Sequence, residues 1–203
     1  NNKENTEYAP ILEDCRKLNI QILQPDINRS YYDFTIEDGK IRYGLHGIKG
    51  VSNADSIQVV IDARESDEIK PYTSYTDFLK RMELKSEITQ KKAMEAFIKS
   101  GVFDGLCKNR EELFERYMKY NDQKFETVQA RDAYLNGMMD FVESEKDEAY
   151  NWKYEMEYLG TVVSDDPLKK YKSDFSYGCI PYDQLQEDEH VSVMWFVASV
   201  EKK

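Results

Sequence analysis

Gly47-Ile48-Lys49-Gly50-Val51 and, further along the chain, Lys99-Ser100-Gly101-Val102-Phe103-Asp104-Gly105 are the two short stretches on which the fold turns. In each, a glycine sits beside an apolar anchor and a lysine. The first opens a helix expected from about Ala54, and the second joins a helix ending at Lys99 to one starting near Asn109. Glycine removes the Cβ that would keep the backbone away from an anion, and the free amides at a following helix N-terminus point at negative charge. The backbone from Gly47 to Val51 and from Gly101 through Val102 to Phe103 is therefore the predicted phosphate contact, with Lys49, Lys91, Lys92, Lys99, Lys108 and Arg110 adding charge. One such turn alone reads equally as a helix cap or a tight loop with no ligand. Two, each with apolar and basic neighbours, favour the binding reading.

Working outward, the pattern is mainly helical. Ile11, Leu12, Cys15 and Leu18 share one face of a helix over 8–18 that Asn19 ends. Helices are also predicted over 54–64, 74–82, 89–99 with Thr89 as cap, 109–120, and 150–159 before Gly160. Residues 123–141 are polar with scattered apolar positions, and 143–148 form an acidic run. Ile20 to Leu23 reads as a short extended segment. Phe34-Thr35-Ile36 and Ile41-Arg42-Tyr43 flank Glu37-Asp38-Gly39-Lys40, where Asp-Gly supplies the positive backbone angles of a tight hairpin. Ser192 to Val200 reads as a buried strand, and a lone strand is not a domain. The predicted class is mainly α, a tandem of helix, glycine hairpin and helix, with a small β-hairpin and an incomplete C-terminal β-strand. Left unpaired, that strand would be free to join a neighbouring copy.

Composition narrows the function classes. The chain has 203 residues, 40% hydrophobic and 33% charged, with a mean hydropathy of −0.75, which describes a globular chain and not a disordered one. No apolar run is long enough to cross a bilayer and no apolar leader is seen at Asn1 to Asn5, so no membrane partner and a cytoplasmic location are expected. Cys15, Cys107 and Cys179 are odd in number and far apart, and His46 and His190 lack a second ligand, so neither a disulfide framework nor a metal site is implied. The net charge of −11 argues against nucleic acid when averaged. By segment, residues 80–110 carry 8 basic and 4 acidic groups, whereas residues 1–79 carry 9 and 14 and residues 111–203 carry 11 and 21. Any phosphate-binding surface should be local to 80–110 and the turn at Lys49.

Three collinear stretches resemble one family. Pro25-Asp26-Ile27-Asn28-Arg29-Ser30 with Phe34 to Leu45 and Gly47 to Val51 is similar to the end of the fingers and first hairpin of bacterial DNA polymerase III alpha subunits, the C-family replicative polymerases. Lys91 to Asp104 is similar to that family's second hairpin, and Tyr158-Leu159-Gly160 to Ser164-Asp165-Asp166-Pro167-Leu168 resembles its later Leu-Gly to Ser-Gly-His-Pro-Leu segment. Asp165-Asp166 departs from the usual Gly-His there. The resemblance implies tandem helix-hairpin-helix motifs that grip the primer-template duplex, with 1–43 ending the fingers, 44–118 holding the hairpins, 119–174 connecting, and 175–203 beginning a truncated oligonucleotide-binding barrel. It implies a polymerase parent that uses magnesium, with its catalytic aspartates in a palm before this segment; no catalytic residue and no cofactor are expected here.

Asp26, Asp33 and Asp38 could be mistaken for a carboxylate cluster, but turn chemistry explains them. By the resemblance, Asn28 and Arg29 lie near incoming nucleotide or template; fixing the hairpin is the alternative for Arg29. Asn136-Gly137-Met138-Met139-Asp140-Phe141 resembles the peptide with which the family engages the sliding clamp, Met138, Met139 and Phe141 filling an apolar pocket, although no glutamine occupies its first position. The alternatives are a helix face packed on the body and, for the whole chain, a protein-interaction module whose hairpins are purely structural. No nucleophile, base pair or metal-ligand set at usable spacing supports a free-standing enzyme.

Overall fold

The computed structural model describes residues 4–51, 53–65, 71–82, 86–137 and 148–164. Residues 1–163 form one compact unit and residues 164–203 a second, which lies almost wholly outside the described residues. Among the described residues the order is α1 (Glu4–Lys17), β1 (Ile22–Leu23), β2 (Thr35–Glu37), β3 (Lys40–Arg42), α2 (Ala54–Glu65), α3 (Tyr75–Arg81), α4 (Lys91–Ser100), α5 (Arg110–Asn121), α6 (Val128–Gly137) and α7 (Glu148–Leu159). The mainly helical class stands. The predicted strand over 192–200 lies outside the described residues.

Local signals explain most boundaries. Asn19 ends α1 with φ +57°, and Ile20 N–H donates back to the Cys15 carbonyl at 2.8 Å, the six-to-one bond of a left-handed helix cap. Asp38 and Gly39 both have positive φ, which gives the tight turn that pairs Glu37 with Lys40. Ser74 accepts from Asp77 N–H and Asn109 from Glu112 N–H, so α3 and α5 begin where their caps predict. Two expectations need correcting. Thr89 does not cap α4: its hydroxyl donates to the Ser86 carbonyl inside a 3₁₀ turn over Glu87–Thr89, and the helix starts at Lys91 with Gln90 as a cap that makes no side-chain bond. The polar stretch from Gln123 contains a helix, α6, whose Leu135 is buried and whose Arg131 donates to the carbonyls of Met82 and Lys80 at the end of α3. The short extended segment is also more than a loop, because β1 pairs in parallel with β3, Ile22 opposite Ile41, giving the sheet order β1-β3-β2.

One hydrophobic core runs through the unit, and its centre is the second glycine turn. Phe103 receives the ring edges of Tyr75 at 5.2 Å and Phe78 at 5.1 Å, with Phe97 at 6.3 Å. Such edge-to-face pairs add about 0.5–1.5 kcal/mol each beyond the area they bury.

Candidate nucleic-acid interface

The two glycine turns share one backbone. Gly50 has φ +92° and Gly101 φ +90°, and each is followed by a buried valine, Val51 and Val102. A left-handed residue with a side chain is strained, so glycine is required at both positions. Their surroundings are opposite.

In the first turn, Ile48 and Val51 point into the core while Lys49 and Gly50 face solvent. Most of its amides are already engaged. Gly47 N–H donates to Gly44, Ile48 N–H to Leu45, Val51 N–H to Ile48 and Lys49 N–H to Tyr158, at 2.9–3.2 Å. Among the described residues no acceptor is bonded to Gly50 N–H. Gly47 is needed for a reason other than approach to an anion: a Cβ there would lie 2.9 Å from the Tyr43 ring and 3.1 Å from that of Phe34.

Beside Gly50 opens a cleft of about 340 Å³ lined by Gly50, Asn53, Ser56, Glu87, Gln90 and Lys92 among others. It brings together the start of α2, where Asn53 Oδ1 accepts from Ser56 N–H, and the start of α4, where no side chain covers the first amides. Four amides at each helix start have no intrahelical acceptor, and the helix dipole gives both ends partial positive charge. Lys49, Lys91 and Lys92 are exposed around this cleft or next to its lining residues. One carboxylate opposes them, since Glu87 lines the cleft and accepts from Asn53 Nδ2.

The second turn is enclosed. Gly101, Val102 and Phe103 are all buried, Gly101 N–H donates to Ile98 and Val102 N–H to Phe97, and the Val102 carbonyl accepts from Ile27 N–H at 2.8 Å. Two of its three cations lie inside. Arg110, 1% exposed, makes a two-pronged contact with Asp104 at 2.9 and 2.7 Å, donates to the Lys99 carbonyl at 3.1 Å, and reaches Glu155 of α7 at 2.8 Å. Burial opposes its charge, but the bonds to Asp104 and the charges of Asp104 and Glu155 outweigh this and hold the guanidinium pKa above its ordinary value. Glu155 is fully buried and also accepts from Gln24 at 3.0 Å and from Val163 N–H at 2.9 Å. Lys99 pairs with Glu95 and lies over the rings of Phe114 at 4.4 Å and Tyr154 at 4.3 Å. Lys108 is exposed.

The positive balance of 80–110 is therefore partly neutralised within the fold: Arg81 pairs with Asp77, Lys99 with Glu95, and Arg110 with Asp104 and Glu155. Asn28 bonds the Tyr72 backbone through both ends of its amide, and Arg29 pairs with Glu37 of β2 rather than with backbone carbonyls. The turn that holds them is a cover for the second hairpin: Asp26 accepts from Asn28 N–H, Ser30 accepts from Asp26 N–H, and a Cβ on Gly105 would lie 3.1 Å from Asp26. Among the described residues no group of three or more His, Cys, Asp or Glu is placed to hold a metal ion, and no helix is long and apolar enough to cross a membrane. Met138, Met139 and Phe141 lie outside the described residues.

The sequence marks α7 as a helix over 150–159, but its role in holding the two hairpins was missed. Its carboxylate Glu155 holds the second hairpin and its last carbonyls hold the first, yet the signal available, the Tyr-Leu-Gly at its end, spoke only of where a helix stops.

Residues 19–113 match the family described as helix-hairpin-helix motif, an interval that contains both glycine turns. The chain is similar to the DNA polymerase III subunit alpha of Borreliella burgdorferi, 33% identical over a 186-residue alignment that covers 85% of this chain and 16% of the relative. It is similar to that of Aquifex aeolicus, 31% identical over 91% of this chain and 15% of the relative, and to that of Thermus aquaticus, 31% identical over 83% and 14%. The chain thus spans 14–16% of the length of these three relatives. With a helix-hairpin-helix match over 19–113 and alpha subunits aligned to most of its length, the chain is a homologue of a segment of DNA polymerase III alpha subunits.

Proposed function

We propose that this segment holds duplex DNA by its sugar-phosphate backbone, independently of sequence, for a replicative polymerase whose chemistry lies elsewhere in the parent protein. One observation carries the reading: the exposed Gly50 turn sits beside the starts of α2 and α4, with unengaged amides and Lys49, Lys91 and Lys92 close by. Such a surface suits phosphate oxygens, contacts that carry no sequence information. Lys108 lies on an exposed corner and adds charge, while Lys99 and Arg110 support the fold from inside. The segment needs no cofactor for this role; magnesium belongs to the parent's catalytic part.

The test is fluorescence anisotropy of the 203-residue chain with a labelled primer-template duplex over a salt series, beside the triple variant Lys49→Glu, Lys91→Glu, Lys92→Glu. Wild-type affinity should fall steeply as salt rises, and the variant should lose roughly two to three from the logarithmic salt slope, because each phosphate contact contributes about 0.9. Absence of binding at low salt would overturn the reading and favour contact with replisome proteins, among them the sliding clamp, through the acidic remainder of the surface.

A further inference from the structure

Tyr43 lies at the junction between the first hairpin and α7, and nothing in phosphate binding itself explains it. Its side chain is fully buried, with the ring 4.6 Å from that of Phe34 and filling the space beside Gly47. Its single O–H donates in a three-centre bond shared by two carbonyls, 3.1 Å from that of Gly47 in the hairpin and 3.0 Å from that of Leu159 in the last turn of α7. Two residues further along the hairpin, Lys49 N–H donates to the neighbouring α7 carbonyl, Tyr158, at 2.9 Å. The last carbonyls of a helix have no partner within it. Here the hairpin supplies partners to two in succession, and Gly160, at φ +71°, turns the chain away immediately after. Tyr43 is in turn held from below, since its carbonyl accepts from the Ser30 hydroxyl at 2.7 Å and its N–H donates to Leu23 at 3.1 Å. Burial raises the phenol pKa well above its ordinary value, so the hydroxyl remains a donor at any working pH.

We propose that Tyr43 is a positioning residue: by tying the Gly47 carbonyl to the end of α7, its hydroxyl sets the pose in which the Gly50 turn is presented to a DNA phosphate. This rests on the duplex-holding reading above. It makes α7 part of the DNA-binding unit although it lies beyond the residues that match the motif. The ring alone would fill the same space, so the distinctive element is one oxygen atom.

Tyr43→Phe in the 203-residue chain removes that oxygen and keeps the packing. Two readouts are needed. Hydrogen exchange of the Lys49 amide, which reports its bond to Tyr158, should accelerate roughly tenfold, while the Val102 amide in the second hairpin keeps its rate. Duplex affinity should fall about fivefold with an unchanged salt slope, because the same phosphates are met in a poorer pose. A Lys49 amide that exchanges as in wild type overturns the tie. Faster exchange at Lys49 and Val102 alike with unaltered affinity of the folded chain overturns the positioning role and leaves only a packing one. If the wild-type chain does not bind duplex at all, the DNA reading fails by that result, and the Lys49 exchange rate still judges the tie between hairpin and α7.

Discussion

The two hairpins repeat one backbone device in opposite environments. Around Gly50 the chain turns outward, with Lys49 and Gly50 in solvent; around Gly101 the equivalent residues Ser100 and Gly101 are buried, and Phe103 becomes the centre of the aromatic core. The difference comes from what covers each. The second hairpin lies under the Asp26–Ser30 turn, which bonds Val102, and under α7, whose Glu155 receives Arg110. The first is met by the main-chain carbonyls of Tyr158 and Leu159 at the end of α7, and its tip, Lys49 and Gly50, faces solvent. A glycine-valine turn beside basic residues is therefore an open corner in one place and a core corner in the other, according to what covers it.

The comparison can be broken first at Arg110. Arg110→Met should destabilise the unit by about 3–5 kcal/mol in urea unfolding, since it leaves the fully buried Glu155 without its cation. Duplex affinity of the folded fraction should change little. A loss of affinity with undiminished stability would instead place Arg110 at the DNA. The glycines give the next largest contrast. An alanine Cβ at position 101 would collide with the Arg110 guanidinium, whereas at position 50 the nearest atoms, on Lys92 and Ala96, are 3.7 and 3.8 Å away. Both substitutions carry the left-handed strain of about 1–2 kcal/mol, so Gly50→Ala should lose roughly that much stability and weaken duplex binding, and Gly101→Ala should lose clearly more stability. Equal losses would show that the second hairpin can open without disturbing its core. The smallest effect is expected at Glu87, the one carboxylate among the described residues that line the cleft. Glu87→Gln should strengthen duplex binding about two- to threefold at low salt by removing a like charge from the phosphate's surroundings, with the gain fading as salt rises. A weaker complex would mean that its bond to Asn53 shapes the cleft more than its charge opposes DNA.

What could be read from the sequence was what adjacent residues determine. Asp38-Gly39 gives its own turn, Asn19, Ser74 and Asn109 mark helix ends within a few residues of themselves, and the glycine-valine pairs announce two left-handed turns. The failures are non-local or depend on which of two short bonds a side chain prefers. Thr89 turned back to Ser86 instead of capping α4. The segment charge of 80–110 counted Arg110 as available although Glu155, 45 residues away, joins Asp104 in drawing it inward, and a charge count does not register that Lys99 pairs with Glu95 four residues before it. Likewise α6 has little apolar periodicity and is fixed by Arg131 on the end of α3, 49 and 51 residues earlier in the chain. Asn28 and Arg29 bond with Tyr72 and Glu37, partners that only the folded chain brings close.

The bond from Tyr43 to the Leu159 carbonyl spans 116 residues, and this has a consequence for synthesis. At about 5–20 residues per second, a ribosome delivers the far partner roughly 6–23 seconds after the near one. Glu155, the buried partner of Arg110, arrives only four residues before Leu159, so both hairpins wait for the same late helix. A nascent chain thus carries both glycine turns for seconds before the helix that fixes them emerges.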